Sequence, residues 1–280
     1  MLNYILRSET DVQQKTGDLT MPEISIWTFV ILCPILFLAA FVDSAAGGGG
    51  LISLPGYFFA GFPMLNAYGT NKFTAGMGAT FSSVQYLKSK KVDLKPTLAA
   101  CVTSLLGSFT GTRLAILLGN QILQLIMLIL LPTAGVSILI LQAKKKTKDE
   151  GFFVPDEKRV FRAVFIGLLM GFYDGFFGPG TGTFLILLLN GALGMELVIA
   201  CGSARVINMS SNIASMITYI INGKVVWAVI IPCMLCSILG GQLGTRLAIK
   251  NGAKFVRPII VIMIVLLMTK VVYDFASGNT

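Results

Sequence analysis

The chain reads as an all-α polytopic membrane protein: two inverted repeats of about five helical segments each, with broken helices at glycine-rich motifs. Three observations lead there. Of 280 residues, 55% are hydrophobic and only 12% charged, with a mean hydropathy of +0.79; a soluble chain carries about 25% charge. The apolar residues gather into ten runs, most of them near the roughly 20 residues that span a bilayer as a helix. The second half of the chain also repeats the first.

Residues 1–23 are polar, so no secretory signal is expected there. A first membrane repeat, 24–142, holds apolar segments at 24–42, 49–62, 66–87, 96–116 and 120–142. A basic cytoplasmic linker, 143–159, leads to a second repeat, 160–275, with segments at 160–176, 181–193, 197–221, 225–248 and 255–273. The second and seventh segments are short, and each follows a glycine-rich break, Gly47-Gly48-Gly49-Gly50 and Gly178-Pro179-Gly180-Thr181-Gly182. They read either as short crossings or as re-entrant half-helices. Loop charge arbitrates, because basic residues collect on the cytoplasmic side. If both short segments cross, fifteen basic residues share one side: Lys88–Lys95, Lys144–Arg162 and Arg246–Arg257. Arg7, Lys15, Lys224 and Lys270 then lie opposite, leaving aside Arg113 near a segment end. This favours ten segments with both termini outside.

The duplication is direct. Residues 104–116, with Gly107, Gly111, Thr112 and Arg113, match residues 237–249, with Gly240, Gly244, Thr245 and Arg246, at an offset of 133. Gly69-Thr70-Asn71-Lys72 matches Gly202-Ser203-Ala204-Arg205 at the same offset, and Asp43 with Gly47 and Gly49 matches Asp174 with Gly178 and Gly180 at 131. An odd number of segments per repeat makes the second copy enter the membrane from the opposite side. Inverted repeats with broken helices are the architecture of secondary transporters, with the substrate near the midplane. Non-helical backbone at that depth must line protein or a cavity.

Four intramembrane charges stand out, and they too are repeat mates: Asp43 with Asp174, and Lys72 with Arg205. Each costs at least about 2.5–3.5 kcal/mol to insert, so each asks for a partner or a function. Two structural ion pairs would satisfy them; so would a polar cavity in which Lys72 and Arg205 hold an anion. The glycine breaks favour the anion. A helix begins after each, and its first N–H groups are unpaired and partly positive. The candidate binding set is therefore Gly48, Gly49, Gly50, Thr70, Asn71 and Lys72 in the first repeat, and Gly180, Thr181, Gly182, Ser203, Arg205 and Asn208 in the second. Asp43 and Asp174 either clamp the cations when the site is empty or carry a coupling proton. Asn208, Ser210, Ser211 and Asn212 either line the pathway or hydrogen-bond between helices.

Composition also excludes. With no His, His-based metal sites and His bases are out, and neither a catalytic residue nor a cofactor is expected. The net charge of +9 suits cytoplasmic loops better than nucleic acid. Cys33, Cys101, Cys201, Cys233 and Cys236 fall in apolar stretches and read as packing residues. The Gly107/Gly111 and Gly240/Gly244 pairs read as close helix contacts and would permit a homodimer.

Residues 42–55 and 69–72, with their second copies at 174–182 and 202–205, resemble the sulfite exporter TauE/SafE family. The likeness covers roughly residues 25–275. It departs in the first copy, where Gly47–Gly50 lacks the Pro-Gly-Thr of the second. The resemblance implies a multi-pass carrier in the cell inner membrane for sulfite, sulfonates or related small sulfur-containing anions. Alternating access with proton coupling is the expected mode. An anion channel, or a carrier of another small organic anion, would share the same features.

Overall fold

The computed structural model describes residues 23–144, 151–252, 254–256 and 258–259, with side chains for all of these except 124, 125 and 127–144. Among them there is no strand. Eight helices follow in order: α1 Ile26–Ala46, α2 Gly50–Phe59, α3 Met64–Lys88, α4 Leu94–Lys144, α5 Asp156–Phe176, α6 Thr181–Leu193, α7 Leu197–Ile221 and α8 Trp227–Asn251. The expected polar N-terminal segment and nearly all of the tenth segment lie outside the described residues.

The solvent preference of a soluble protein is reversed here. Leu98, Val102, Leu106 and Phe109 on α4 face outward, as do Phe161, Phe165, Leu169 and Phe172 on α5 and Ile231, Leu235 and Leu239 on α8. Lys72, Asp174, Arg205 and a series of Ser, Thr and Asn side chains are buried. A lipid-facing surface and a polar interior account for both. Of the described helices, α1, the Leu94–Leu123 part of α4, and α8 are long and apolar enough to cross a membrane.

Segments four and five run on as α4, but Gly119 breaks it with φ 74° and ψ 179°, a conformation open essentially to glycine alone. The break falls between the two expected segments. Asn120 Oδ1 accepts from the Leu65 N–H at 2.9 Å, which ties this corner to the start of α3.

The two short segments are the return arms of hairpins. α6 has 13 residues, about 20 Å, and α2 has 10, about 15 Å, both short of a bilayer core of about 30 Å. Arg159, near the start of α5, donates to the Leu193 carbonyl at the end of α6, and Arg162 donates to the Ala192 carbonyl. α6 thus returns to the end from which α5 entered. At the opposite end, Tyr57 and Phe62 cluster with Leu32 and Leu36 of α1 and Val229 of α8, so α2 returns beside the start of α1. The two hairpins enter from opposite ends and meet at their tips.

Glycine makes the closest helix contacts. A Cβ at Gly107 or Gly111 would fall on the Leu168 or Phe172 carbonyl of α5. A Cβ at Gly240 or Gly244 would fall on the Phe37 or Phe41 carbonyl of α1. The GxxxG faces are consumed within the chain, pairing α4 with α5 and α8 with α1. Corresponding contacts also hold the loops. Thr70 Oγ1 accepts from Val226 N at 3.1 Å, and Ser203 Oγ accepts from Asp93 N at 3.2 Å. Both partners in these two bonds differ by the offset of 133 found in the sequence.

Basic residues share one end. Lys95 pairs with Asp156 at 3.2 Å, and Arg159 pairs with Asp93, which joins the α3–α4 loop to the start of α5. Gly252, after α8, lies beside Val198 at the start of α7. The Gly202 Cβ position falls on the Lys91 carbonyl, so that end of the bundle is the same one.

Candidate functional site

The site forms where the two helix breaks touch. Gly47 and Gly48 take positive φ (75° and 85°), as do Gly178 and Gly180 (89° and 82°), so each chain reverses without a side chain in the way. A Cβ on Gly47 would fall on backbone atoms of Gly182 and Thr183. Thr183 Oγ1 donates to the Ala46 carbonyl at 3.2 Å, which binds one tip to the other. The N-termini of α2 and α6 therefore end at the same place, each presenting first-turn N–H groups with a partial positive charge.

The four intramembrane charges surround that place, paired across the two halves of the chain. Lys72 Nζ on α3 sits 2.7 Å from Asp174 Oδ2 on α5, both side chains 4% exposed. Arg205 on α7 pairs with Asp43 on α1. Asp43 Oδ1 also accepts from the Gly49 N–H at 2.9 Å, and the Ser211 hydroxyl donates to Asp174 Oδ2 at 2.6 Å. Removing one partner of such a buried pair costs about 3–5 kcal/mol, because it strands the other charge.

A cavity with room for about two waters opens beside Lys72 and Asp174. Asp43, Gly48, Gly50, Asn71, Gly180, Thr181, Gly182 and Asn208 line it as well. A second, smaller cavity lies beside Arg205, walled by Asp43, Gly49, Gly50, Asn71 and Ser237. Of the candidate binding residues, ten line these two cavities. Thr70 and Ser203 line neither, because their hydroxyls hold the loops before α8 and α4. Inside these walls, Arg205 Nε and Asn71 Oδ1 are buried and have no hydrogen-bond partner among the described residues. An unpartnered cationic donor in a polar cavity is suited to an oxyanion.

Sequence reasoning missed Tyr68, Phe177 and Ala75 as cavity walls, and it left Asn212 open. Asn212 follows Asn208 by one helical turn, and its Nδ2 donates to Asn208 Oδ1 at 2.8 Å, so the i, i+4 spacing was a usable signal. Nothing in the sequence marks the aromatic walls. Among the described residues, no cluster of His, Cys, Asp and Glu is arranged to hold a metal ion.

The family described as sulfite exporter TauE/SafE matches residues 32–271. The chain belongs to the sulfite exporter TauE/SafE family. Relatives in this family include a probable membrane transporter protein of Haemophilus influenzae, 36% identical over 90% of this chain and 97% of its own length. The probable membrane transporter protein YfcA of Escherichia coli K12 is 33% identical over 87% of this chain and 89% of its own. The probable membrane transporter protein ORF9 of a Sinorhizobium species is 32% identical over 91% and 96%. No solved structure matches. The chain is a multi-pass membrane transporter of the TauE/SafE family and not an enzyme.

Proposed function

We propose that this transporter carries small sulfur-containing oxyanions, such as sulfite or a sulfonate, by proton-coupled alternating access of two inverted repeats, 24–142 and 160–275. One observation carries the reading: both cations and both helix N-termini gather at the hairpin tips, where Lys72 and Arg205 line two cavities that share Asp43, Gly50 and Asn71 as walls. Lys72, Arg205 and the N–H groups around Gly48–Gly50 and Gly180–Gly182 bind the anion, with Asn71 and Asn208 as further polar contacts. Asp43 and Asp174 hold the cations while the site is empty. Hydrogen bonds and glycine contacts that recur at an offset of 133 support the inverted-repeat reading, since each joins corresponding parts of the two halves. The clustering of basic residues at one end supports a cytoplasmic assignment for that end and termini on the outside of the cell inner membrane.

The test is uptake of sulfite, thiosulfate, sulfoacetate and sulfate into proteoliposomes, with and without a pH gradient. Saturable uptake of a sulfur anion is expected. Lys72→Ala and Arg205→Ala should each abolish it. Because either change strands an aspartate, the paired variants Lys72→Met/Asp174→Asn and Arg205→Met/Asp43→Asn serve as controls that keep the cavity neutral. Uptake surviving in all four variants sinks the site. No uptake by folded wild-type protein sinks the substrate class, and flux that rises without saturation assigns a channel.

A further inference from the structure

The two ion pairs occupy corresponding places in the two halves, yet the groups around their carboxylates differ in kind. Asp43 is met by donors on both oxygens: the Gly49 N–H on Oδ1 and the Arg205 guanidinium on Oδ2. Neither an amide N–H nor a guanidinium can accept a hydrogen bond, so both of these contacts favour the ionised form of Asp43. At Asp174 both contacts, Lys72 Nζ and Ser211 Oγ, fall on Oδ2. Oδ1 accepts nothing among the described residues, and Asp174, like Asp43, lines the cavity.

Ser211 adds the decisive difference. Its hydroxyl lies 2.6 Å from Asp174 Oδ2 and 2.9 Å from the Asn208 carbonyl, and its single proton can serve only one of them at a time. A hydroxyl both donates and accepts. When Asp174 is ionised, Ser211 donates to it. When Asp174 is protonated, Ser211 can turn its proton to Asn208 and leave its oxygen as an acceptor. The place of Ser211 in the first repeat is taken by Gly78, where a Cβ would come within 2.9 Å of the Ser237 carbonyl, so the close approach of α8 leaves no room for a hydroxyl. Behind Ser211, the hydroxyls of Ser108, Ser215 and Thr112 continue the network at 2.7 and 2.8 Å. The counterpart of Ser108 in the second repeat is Gly241, so that network is not repeated beside Asp43.

We propose that Asp174, and not Asp43, is the carboxylate that takes up the coupling proton, with Ser211 as the positioning residue that makes both of its protonation states tolerable. The inference rests on the reading of the chain as a proton-coupled anion carrier. A proton from the aqueous face adds to Asp174 and settles on Oδ2, where its O–H donates to Ser211 Oγ; the carboxylate charge is lost, and the Lys72 ammonium is released to the incoming anion. On the opposite face the anion leaves, the proton returns to water, and the Lys72–Asp174 pair re-forms. One proton accompanies each anion. The groups facing Asp174 are Lys72 from α3, Ser211 and Tyr219 from α7, Tyr173 on its own helix, and Asp43 of α1 across the cavity. No other charged side chain among the described residues lines this cavity.

Two measurements on reconstituted full-length protein decide it. With one-to-one coupling, an imposed gradient of about one pH unit drives about tenfold accumulation of sulfite. Whatever sulfite flux Asp174→Asn retains should no longer respond to the gradient, with an accumulation ratio of one. Whatever flux Asp43→Asn retains should still respond to the gradient. Ser211→Ala should move the midpoint of the pH–rate profile, and Ser211→Thr should restore it. The second measurement needs no anion: the carboxylic-acid C=O band that appears on acidification in infrared difference spectra. It should lose a component in Asp174→Asn and keep it in Asp43→Asn. Accumulation preserved in Asp174→Asn, or the infrared component lost in Asp43→Asn instead, overturns the assignment. If wild-type protein transports no sulfite but the infrared component still disappears only with Asp174, the carrier reading fails and the protonation site stands.

Discussion

At the scale of single residues, position decides what a glycine is worth. Gly47 and Gly119 share nearly the same backbone conformation, φ 75° and 74° with ψ 179° at both. A side chain at either costs about 1–3 kcal/mol in strain. Their surroundings differ, since nothing lies within 4 Å of a Cβ at Gly119, whereas one at Gly47 would collide with the opposite hairpin tip. Gly119→Ala should therefore lower the thermal midpoint in detergent and leave anion uptake intact. Gly47→Ala should remove uptake as well, and equal loss in both variants would contradict this account. The charges were legible in the sequence because an ionised group in an apolar run has no neutral explanation. Thr70 and Ser203 were not, since nothing local marks a hydroxyl whose partner, Val226 or Asp93, is brought to it only by the fold.

At the scale of elements, hydropathy located the helices well and their directions poorly. A run of apolar residues reports transfer from water to lipid, and says nothing of whether the chain continues through or turns back. The lengths of α2 and α6 and the glycine runs before them were the available hints. What settles α6 is its far end, where Arg159 and Arg162 approach the last carbonyls. Cations there complement the negative end of the helix dipole. Arg159→Ala removes that contact together with the Asp93 pair, and should cost about 1–2 kcal/mol in stability. The effect is to be read as a lowered thermal midpoint in detergent; an unchanged midpoint would mean that packing alone holds the arm. The GxxxG motifs were legible as contact surfaces, but only the fold assigns them partners inside the chain rather than in a second copy.

At the scale of the whole molecule, the organising fact is that each buried ion pair takes its acid from one half and its cation from the other. Breaking the chain after Lys144 should yield two fragments that restore anion uptake when co-expressed, and neither should accumulate alone. Uptake from one fragment by itself would contradict the shared site. The same crossing of charges bears on how the protein is made. The ribosome delivers Asp43 and Lys72 well before Asp174 and Arg205 exist, so for the interval between them the membrane holds an acid and a base without their eventual partners. The first half must wait, incomplete and exposed to membrane proteases and insertion chaperones, until its complement arrives. Asp43 and Lys72, each partnered from the other half, thereby tie completion of the first half to synthesis of the second.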